Sequence, residues 1–198
     1  MIIRFIILLS NCIFNGNVSG DDYLNTYKSE FLMDSCIFTN VLSDAFDSDF
    51  SNGSINNTRF KNIGNDAIDG SGSIINCSSL IIDDVGDKAL SAGENSVFNL
   101  DNSVIRNSEM AVVVKDGSTL NFGENNSLES CTLDFVLFKK KDFYPRPRLT
   151  LVEDVKNYTY LIEENSIVKS SKLSEIIYTE SVKELLYGKV FGKRTKKS

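Results

Sequence analysis

Four segments of this chain share one frame. They are SDAFD (Ser43 to Asp47), NDAID (Asn65 to Asp69), DKALS (Asp87 to Ser91) and EMAVV (Glu109 to Val113), and their alanines Ala45, Ala67, Ala89 and Ala111 fall 22 residues apart. The frame extends to Tyr23 upstream and Leu133 downstream. A fixed period of this length, built from short apolar runs between Gly, Asn and Ser turns, marks a solenoid. Other columns keep the spacing: Phe38, Phe60, Ile82 and Val104; Val41, Ile63 and Val85; and a polar one, Asn40, Asn62 and Asp84. Gly53-Ser54-Ile55, Gly72-Ser73-Ile74, Asn95-Ser96-Val97 and Gly117-Ser118-Thr119 read as turns, with residues that tolerate left-handed backbone feeding short strands.

A helical repeat needs two amphipathic stretches of about ten residues, which the three- to five-residue runs here cannot supply. The leucine-rich line L-x-x-L-x-L-x-x-N is absent. The remaining reading is an all-β fold, a right-handed parallel β-helix with one coil per repeat. Coils spaced about 4.8 Å apart stack like on like, with Ala, Ile, Val and Phe in the core and inward Asn forming an amide ladder.

This gives about six coils over residues 1–152, then C-terminal strands and a capping helix over 153–188, then a basic tail over 189–198 that reads as disordered. The helix, Val182 to Tyr187, is announced by the capping box of Ser181 and Glu184 and ended by Gly188. It is placed to cover the open end of the stack. Two prolines, Pro145 and Pro147, cannot donate ladder bonds, so the segment after Lys139-Lys140-Lys141 loops outward. At the other end, Arg4 and the apolar run to Leu9 look like a short signal peptide, but no small-residue cleavage site follows. Asn11-Cys12-Ile13-Phe14 instead matches Ser35-Cys36-Ile37-Phe38, so it reads as part of the first, incomplete coil. The chain therefore reads as a piece of a larger protein that has lost N-terminal domains.

A net charge of −6, with no basic face in the repeats, argues against nucleic acid as a partner. No apolar run reaches the length of a membrane span. There is no histidine, and Cys12, Cys36, Cys77 and Cys131 lack C-x-x-C spacing, which argues against zinc and iron–sulfur sites. The cysteines read as small buried hydrophobes in different columns, and no disulfide between coils is expected from them.

GNDAIDGSGS, VGDKALSAGENS, KDGST and FKKKDFYP, in this order, resemble a bacterial right-handed β-helix family. The resemblance runs from about Asp21 to Val152. It is to the C-terminal β-helix of surface proteins, some of which carry a domain similar to CotH-type kinases. It implies an extracellular or cell-envelope setting and a polysaccharide or envelope component as partner, and it supplies no catalytic residues.

The chemistry lies in an acidic stack. Asp22, Asp44 and Asp66 share one column, Asp47 and Asp69 another, and Asp49 lies beside them. Carboxylates about 5 Å apart repel unless a cation bridges them. Asp44, Asp47, Asp66 and Asp69 are therefore the candidate ligands for calcium, the one cofactor to consider. The plainer reading is that they cap turns by accepting backbone N–H bonds. The function expected is a non-catalytic module that binds or organises glycan. The alternatives are a calcium-dependent polysaccharide lyase or epimerase, in which Lys88 or Lys115 would be the basic group, and an inactive fragment. A basic side chain converging on the Asp47 and Asp69 face would favour the enzyme.

Overall fold

The 22-residue frame builds a parallel β-solenoid of about seven turns in a computed structural model of the chain, which describes residues 6–152, 158–170 and 178–187. The first coil consists of β1 (Ile6–Ser10), β2 (Ile13–Asn15) and β3 (Asp22–Tyr27), the second of β4 (Glu30–Asp34), β5 (Ile37–Val41) and β6 (Asp44–Asp49), and the third of β7 (Asn52–Asn56), β8 (Arg59–Ile63) and β9 (Ile68–Ser71). In the fourth and fifth coils the second and third strands fuse into one bent strand. These coils are β10 (Ile74–Ser78) with β11 (Ile81–Gly93), and β12 (Val97–Asp101) with β13 (Val104–Lys115). The sixth is β14 (Thr119–Phe122), β15 (Ser127–Glu129) and β16 (Leu133–Phe138); the seventh contains β17 (Arg148–Leu151) and β18 (Tyr160–Glu163). β19 (Ile167–Ser170), β20 (Tyr178–Thr179) and the helix α1 (Val182–Tyr187) follow.

Every ladder is parallel, and like strands stack into three faces. Face one is the eight-stranded sheet β1-β4-β7-β10-β12-β14-β17-β19. Face two runs through β2, β5, β8, the first halves of β11 and β13, and β15. Face three runs through β3, β6, β9, the second halves of β11 and β13, β16, β18 and β20. The strand pairing thus carries on past Val152, through β18 to β20.

Each corner turns on a column of left-handed residues with φ between 48° and 75°. Asn11, Ser35, Asn57, Ser79, Asn102 and Asn125 form the first; Asn40, Asn62, Asp84 and Asn107 the second; and Lys28, Phe50, Gly72, Asn95 and Gly117 the third. This is why Asn, Ser and Gly punctuate the repeat: they reach the left-handed region at least cost. Behind the third column a buried serine stack ties the coils together. The backbone N–H groups of Ser29, Ser51, Ser73 and Ser96 donate to the hydroxyls of Ser51, Ser73, Ser96 and Ser118 at 3.0–3.1 Å. The Ser73 hydroxyl in turn donates to the Ser48 carbonyl at 2.7 Å.

Inside, Phe14, Phe38 and Phe60 stack with centroids 4.3 and 4.9 Å apart, and Ala45, Ala67, Ala89 and Ala111 are fully buried. Several details differ from the frame read in the sequence. Ile82 pairs with Ile105, not Val104, because the corner between Gly93 and Val97 has gained a residue, which moves faces one and two of that coil on by one. For a similar reason Leu133 stacks on Met110, and the alanine column continues into Asp134. Gly53 is no turn. It lies within β7, where an added Cβ would come 2.5 Å from the Phe31 side chain, so its lack of a side chain makes room for that ring. The asparagine ladder exists but faces outward: Asn62 donates to Asn40 at 2.8 Å and Asn40 to Asn15 at 3.0 Å, all three exposed. A left-handed corner residue turns its side chain away from the core, so the amides stack in solvent.

Helix α1 forms over the expected residues, but it does not close the end of the stack. It lies on the outer surface of face three, where Val182 and Leu186 bury Met110, Val113, Val136 and Phe138 in a second apolar cluster. The basic tail lies outside the described residues. No described helix is long and apolar enough to cross a membrane.

Candidate functional site

The outer surface of face three changes character along the stack. Three outward columns define it. The first runs Asp22, Asp44, Asp66, Lys88, Met110 and Leu133; the second Asn25, Asp47, Asp69, Ser91, Val113 and Val136; the third begins Tyr27, Asp49 and Ser71. The first three coils therefore present acids and the fourth brings in Lys88; from the fifth upward the first two columns are apolar and covered by α1, while the third carries Lys115. Where the helix ends, a cleft of about 240 Å³ opens between Leu186 and Tyr187 on one side and Asp44, Asp66, Asp69 and Lys88 on the other.

Asp44 and Asp66 each accept a backbone N–H from the coil above. Asp44 accepts the backbone N–H of Asp66 at 2.9 Å and the Asn65 amide; one coil higher, Asp66 accepts the backbone N–H of Lys88 at 3.2 Å. The same arrangement recurs at Asp134, which accepts from Thr159 N at 2.7 Å. These carboxylates thus take backbone N–H groups of the next coil rather than of their own turn.

Two lysines from different columns supply positive charge to this surface. Lys88 Nζ lies 3.2 Å from Asp66 Oδ1 and also pairs with Asp87. Burial opposes a charge on Lys88, but Asp66 and Asp87 outweigh it and hold the ammonium protonated, above the usual lysine range. Burial pushes Asp66 up, and the Lys88 ammonium pulls it back. Lys115 reaches down to place Nζ 3.0 Å from Ser91 Oγ and 3.8 Å from Asp69 Oδ1.

Among the described residues, Asp22, Asp44 and Asp47 form no ion pair. Burial, followed by the repulsion of Asp49, Asp69 and Asp22, pushes Asp47 up to about 7. Burial and the Asp44 charge raise Asp22. Burial also raises Asp44, against the N–H bonds it accepts. Asn25 bridges Asp47 at 2.8 Å and Asp49 at 3.3 Å, placing an amide between two carboxylates.

Of the four candidate ligands, Asp44, Asp66 and Asp69 offer oxygens all within 4.8 Å of one another. Asp47, in register with Asp69, stands outside that group, on the Asn25 side. Asn65, Asp87, Lys140 and Tyr187 join the cleft without having been singled out in the sequence. Asp87 sat in the repeat beside Lys88, whereas Tyr187 and Lys140 come from the irregular C-terminal third, where no period exists to read. A further surprise is an exposed aromatic pair. Tyr27 and Phe50 meet edge to face at 6.2 Å, 57% and 54% exposed, at the corner next to Asp49. Among protein-family models, curated proteins and solved structures, nothing matches this chain, so its fold rests on its own stacking register and its site on its own geometry.

Proposed function

We propose that the chain is a non-catalytic β-solenoid module that binds a neutral, hydroxyl-rich glycan along the outer surface of face three. The observation that carries this reading is the continuity of that surface. An exposed aromatic pair, Tyr27 and Phe50, leads into a run of carboxylates and an amide, which ends in the lysine-bearing cleft beside α1. Aromatic faces take the apolar side of a sugar ring, and ordered carboxylates and amides take its hydroxyls. Asp44, Asp66 and Lys88 are already committed to holding coils together, which suits positioning rather than proton transfer. The likeness of GNDAIDGSGS and the following segments to bacterial surface proteins with CotH-type kinase domains adds a cell-envelope or extracellular setting to the proposal.

A second reading is a calcium-dependent polysaccharide lyase. It is favoured by the three clustered carboxylates and by Lys88 and Lys115 converging on Asp66 and Asp69. One experiment separates the two. The purified chain is incubated with neutral and uronate polysaccharides, with calcium or with chelator, and both bound polymer and new chain ends are followed. Binding without new ends supports the module. Calcium-dependent new ends replace it with the lyase, and absence of binding to every polymer overturns both.

A further inference from the structure

The first step of the solenoid is longer than 22 residues, and this brings two cysteines together. Ser10 pairs with Asp34, and Ile13 with Ile37. Cys12 and Cys36, which lie between these pairs, therefore occupy the same corner position in adjacent coils. The Ile37 N–H donates to the Cys12 carbonyl at 2.9 Å, so the two corners are hydrogen-bonded to each other. Their thiols adopt the same pose, Cys12 Sγ 3.5 Å from the Ser10 carbonyl and Cys36 Sγ 3.4 Å from that of Asp34. Burial pushes the Cys36 thiol up, and the neighbouring Cys12 thiol adds to the shift. Both thiols are free.

Stacked positions in neighbouring parallel strands lie about 4.8 Å apart, inside the roughly 4.4–6.8 Å Cα separation that a disulfide spans. The Cβ atoms need to close by less than about 1 Å. The first coil has that freedom, because β1, β2 and β3 each pair with a strand on one side only among the described residues. Cys12 is half-buried and can meet an oxidant, whereas Cys36 is fully buried behind it. The other two cysteines have no such neighbour: Cys77 stacks between Ile55 and Leu100, and the Cys131 thiol points at the Ile105 and Glu129 carbonyls.

We propose that Cys12 and Cys36 form a redox-sensitive staple between the first two coils, closed by disulfide exchange with a low-molecular-weight disulfide. The Cys12 thiolate attacks one sulfur of that oxidant and releases its first thiol, leaving a mixed disulfide on Cys12. The Cys36 thiolate then attacks the Cys12 sulfur and releases the second thiol. Two electrons pass from the cysteine pair to the oxidant, and the two thiol protons end on the released thiols. The closed loop holds Asn25 and Tyr27, so oxidation pins the lower end of the acidic face.

The test uses the full chain, reduced, freed of reductant and incubated with oxidised glutathione at mildly alkaline pH. Peptide mapping is expected to find the Cys12 and Cys36 segments linked, with Cys77 and Cys131 still reactive toward maleimide in the unfolded product. Cys12→Ser is expected to leave every remaining thiol free. The staple should slow proteolysis within the first coil by about tenfold, since it removes most of the freedom of the opened loop. A glutathione adduct that stops at Cys12, a link between any other pair, or a folded chain that keeps its thiols while the urea-unfolded chain oxidises would each overturn the staple.

Discussion

Lys115 crosses two coils to reach Asp69, passing over Gly93 on the way. A Cβ on Gly93 would lie 2.8 Å from Lys115 Cε, so the glycine provides the channel along which the lysine stem lies. At its end the ammonium faces a carboxylate oxygen, Asp69 Oδ1, that is buried and accepts no hydrogen bond. The serine at Ser91 completes the contact at 3.0 Å. Lys115→Met keeps the stem and removes the charge, which takes from Asp69 its ion-pair partner. Its expected cost is about 1–3 kcal/mol in urea unfolding. Asp69→Asn in the same background should recover most of that loss.

Lys88 sits deeper, and its loss should cost more. Lys88→Met strands Asp66, a fully buried carboxylate, without its cation, so a loss of about 3–5 kcal/mol is expected. In that variant the cluster of Asp44, Asp66 and Asp69 keeps only the Lys115 ammonium, which stands at Asp69. Added calcium is then expected to raise its melting temperature more than that of the native chain, with chelator reversing the gain. Equal calcium responses in thermal scans of the two proteins would show that the lysine does not stand where a metal could.

The acidic face should make stability fall as pH rises. Asp47, raised to about 7 in the folded chain from an ordinary 3.8, binds its proton more tightly folded than unfolded. Its contribution is complete below about pH 4 and is lost as pH climbs through about 7. Asp22, Asp44 and Asp66 are shifted the same way. Discounted for solvent screening, Asp47 alone should lower the melting temperature by about 3 °C between pH 5 and pH 8. Asp47→Asn should flatten that slope, as parallel scans at the two pH values would reveal.

The serine stack makes a sharp prediction about the fold. Ser73→Ala removes the acceptor of the Ser51 N–H and the donor to the Ser48 carbonyl, both buried. The expected cost is about 1–3 kcal/mol. Ser54→Ala, on the half-buried outer side of β7, is expected to stay within about 0.5 kcal/mol by the same chemical denaturation.

Much of this architecture could be read from the sequence because stacking turns periodicity directly into contact. The alanine column, the Phe38 and Phe60 stack and the left-handed corners all follow from residues recurring at one spacing, and the short C-terminal helix from the capping box of Ser181 and Glu184. What could not be read lies where the spacing changes. The 24-residue step between the first two coils hid the Cys12 and Cys36 pair. The residue gained at the corner between Gly93 and Val97 moved the partner of Ile82 to Ile105. Periodicity also cannot tell an inward amide from an outward one, since Asn40 and Asn62 recur identically in either case; only their left-handed backbone decides it. The helix-side wall of the cleft, Leu186 and Tyr187, comes from a segment with no repeat at all.

The irregular step between β11 and β13 has one more implication. On face one Ile74 is followed 23 residues later by Val97, and on face two Ile81 is followed at the same interval by Val104. On face three Lys88 is followed by Met110 after 22, because the ladder slips between Val85 and Lys88. The extra residue enters at one corner and is given back at another before the chain reaches face three. Through the fifth coil, length variation is thus kept away from the surface that bears Asp44, Asp66, Lys88 and their neighbours. Coils can grow or shrink at the far corners while the spacing of these charges stays constant.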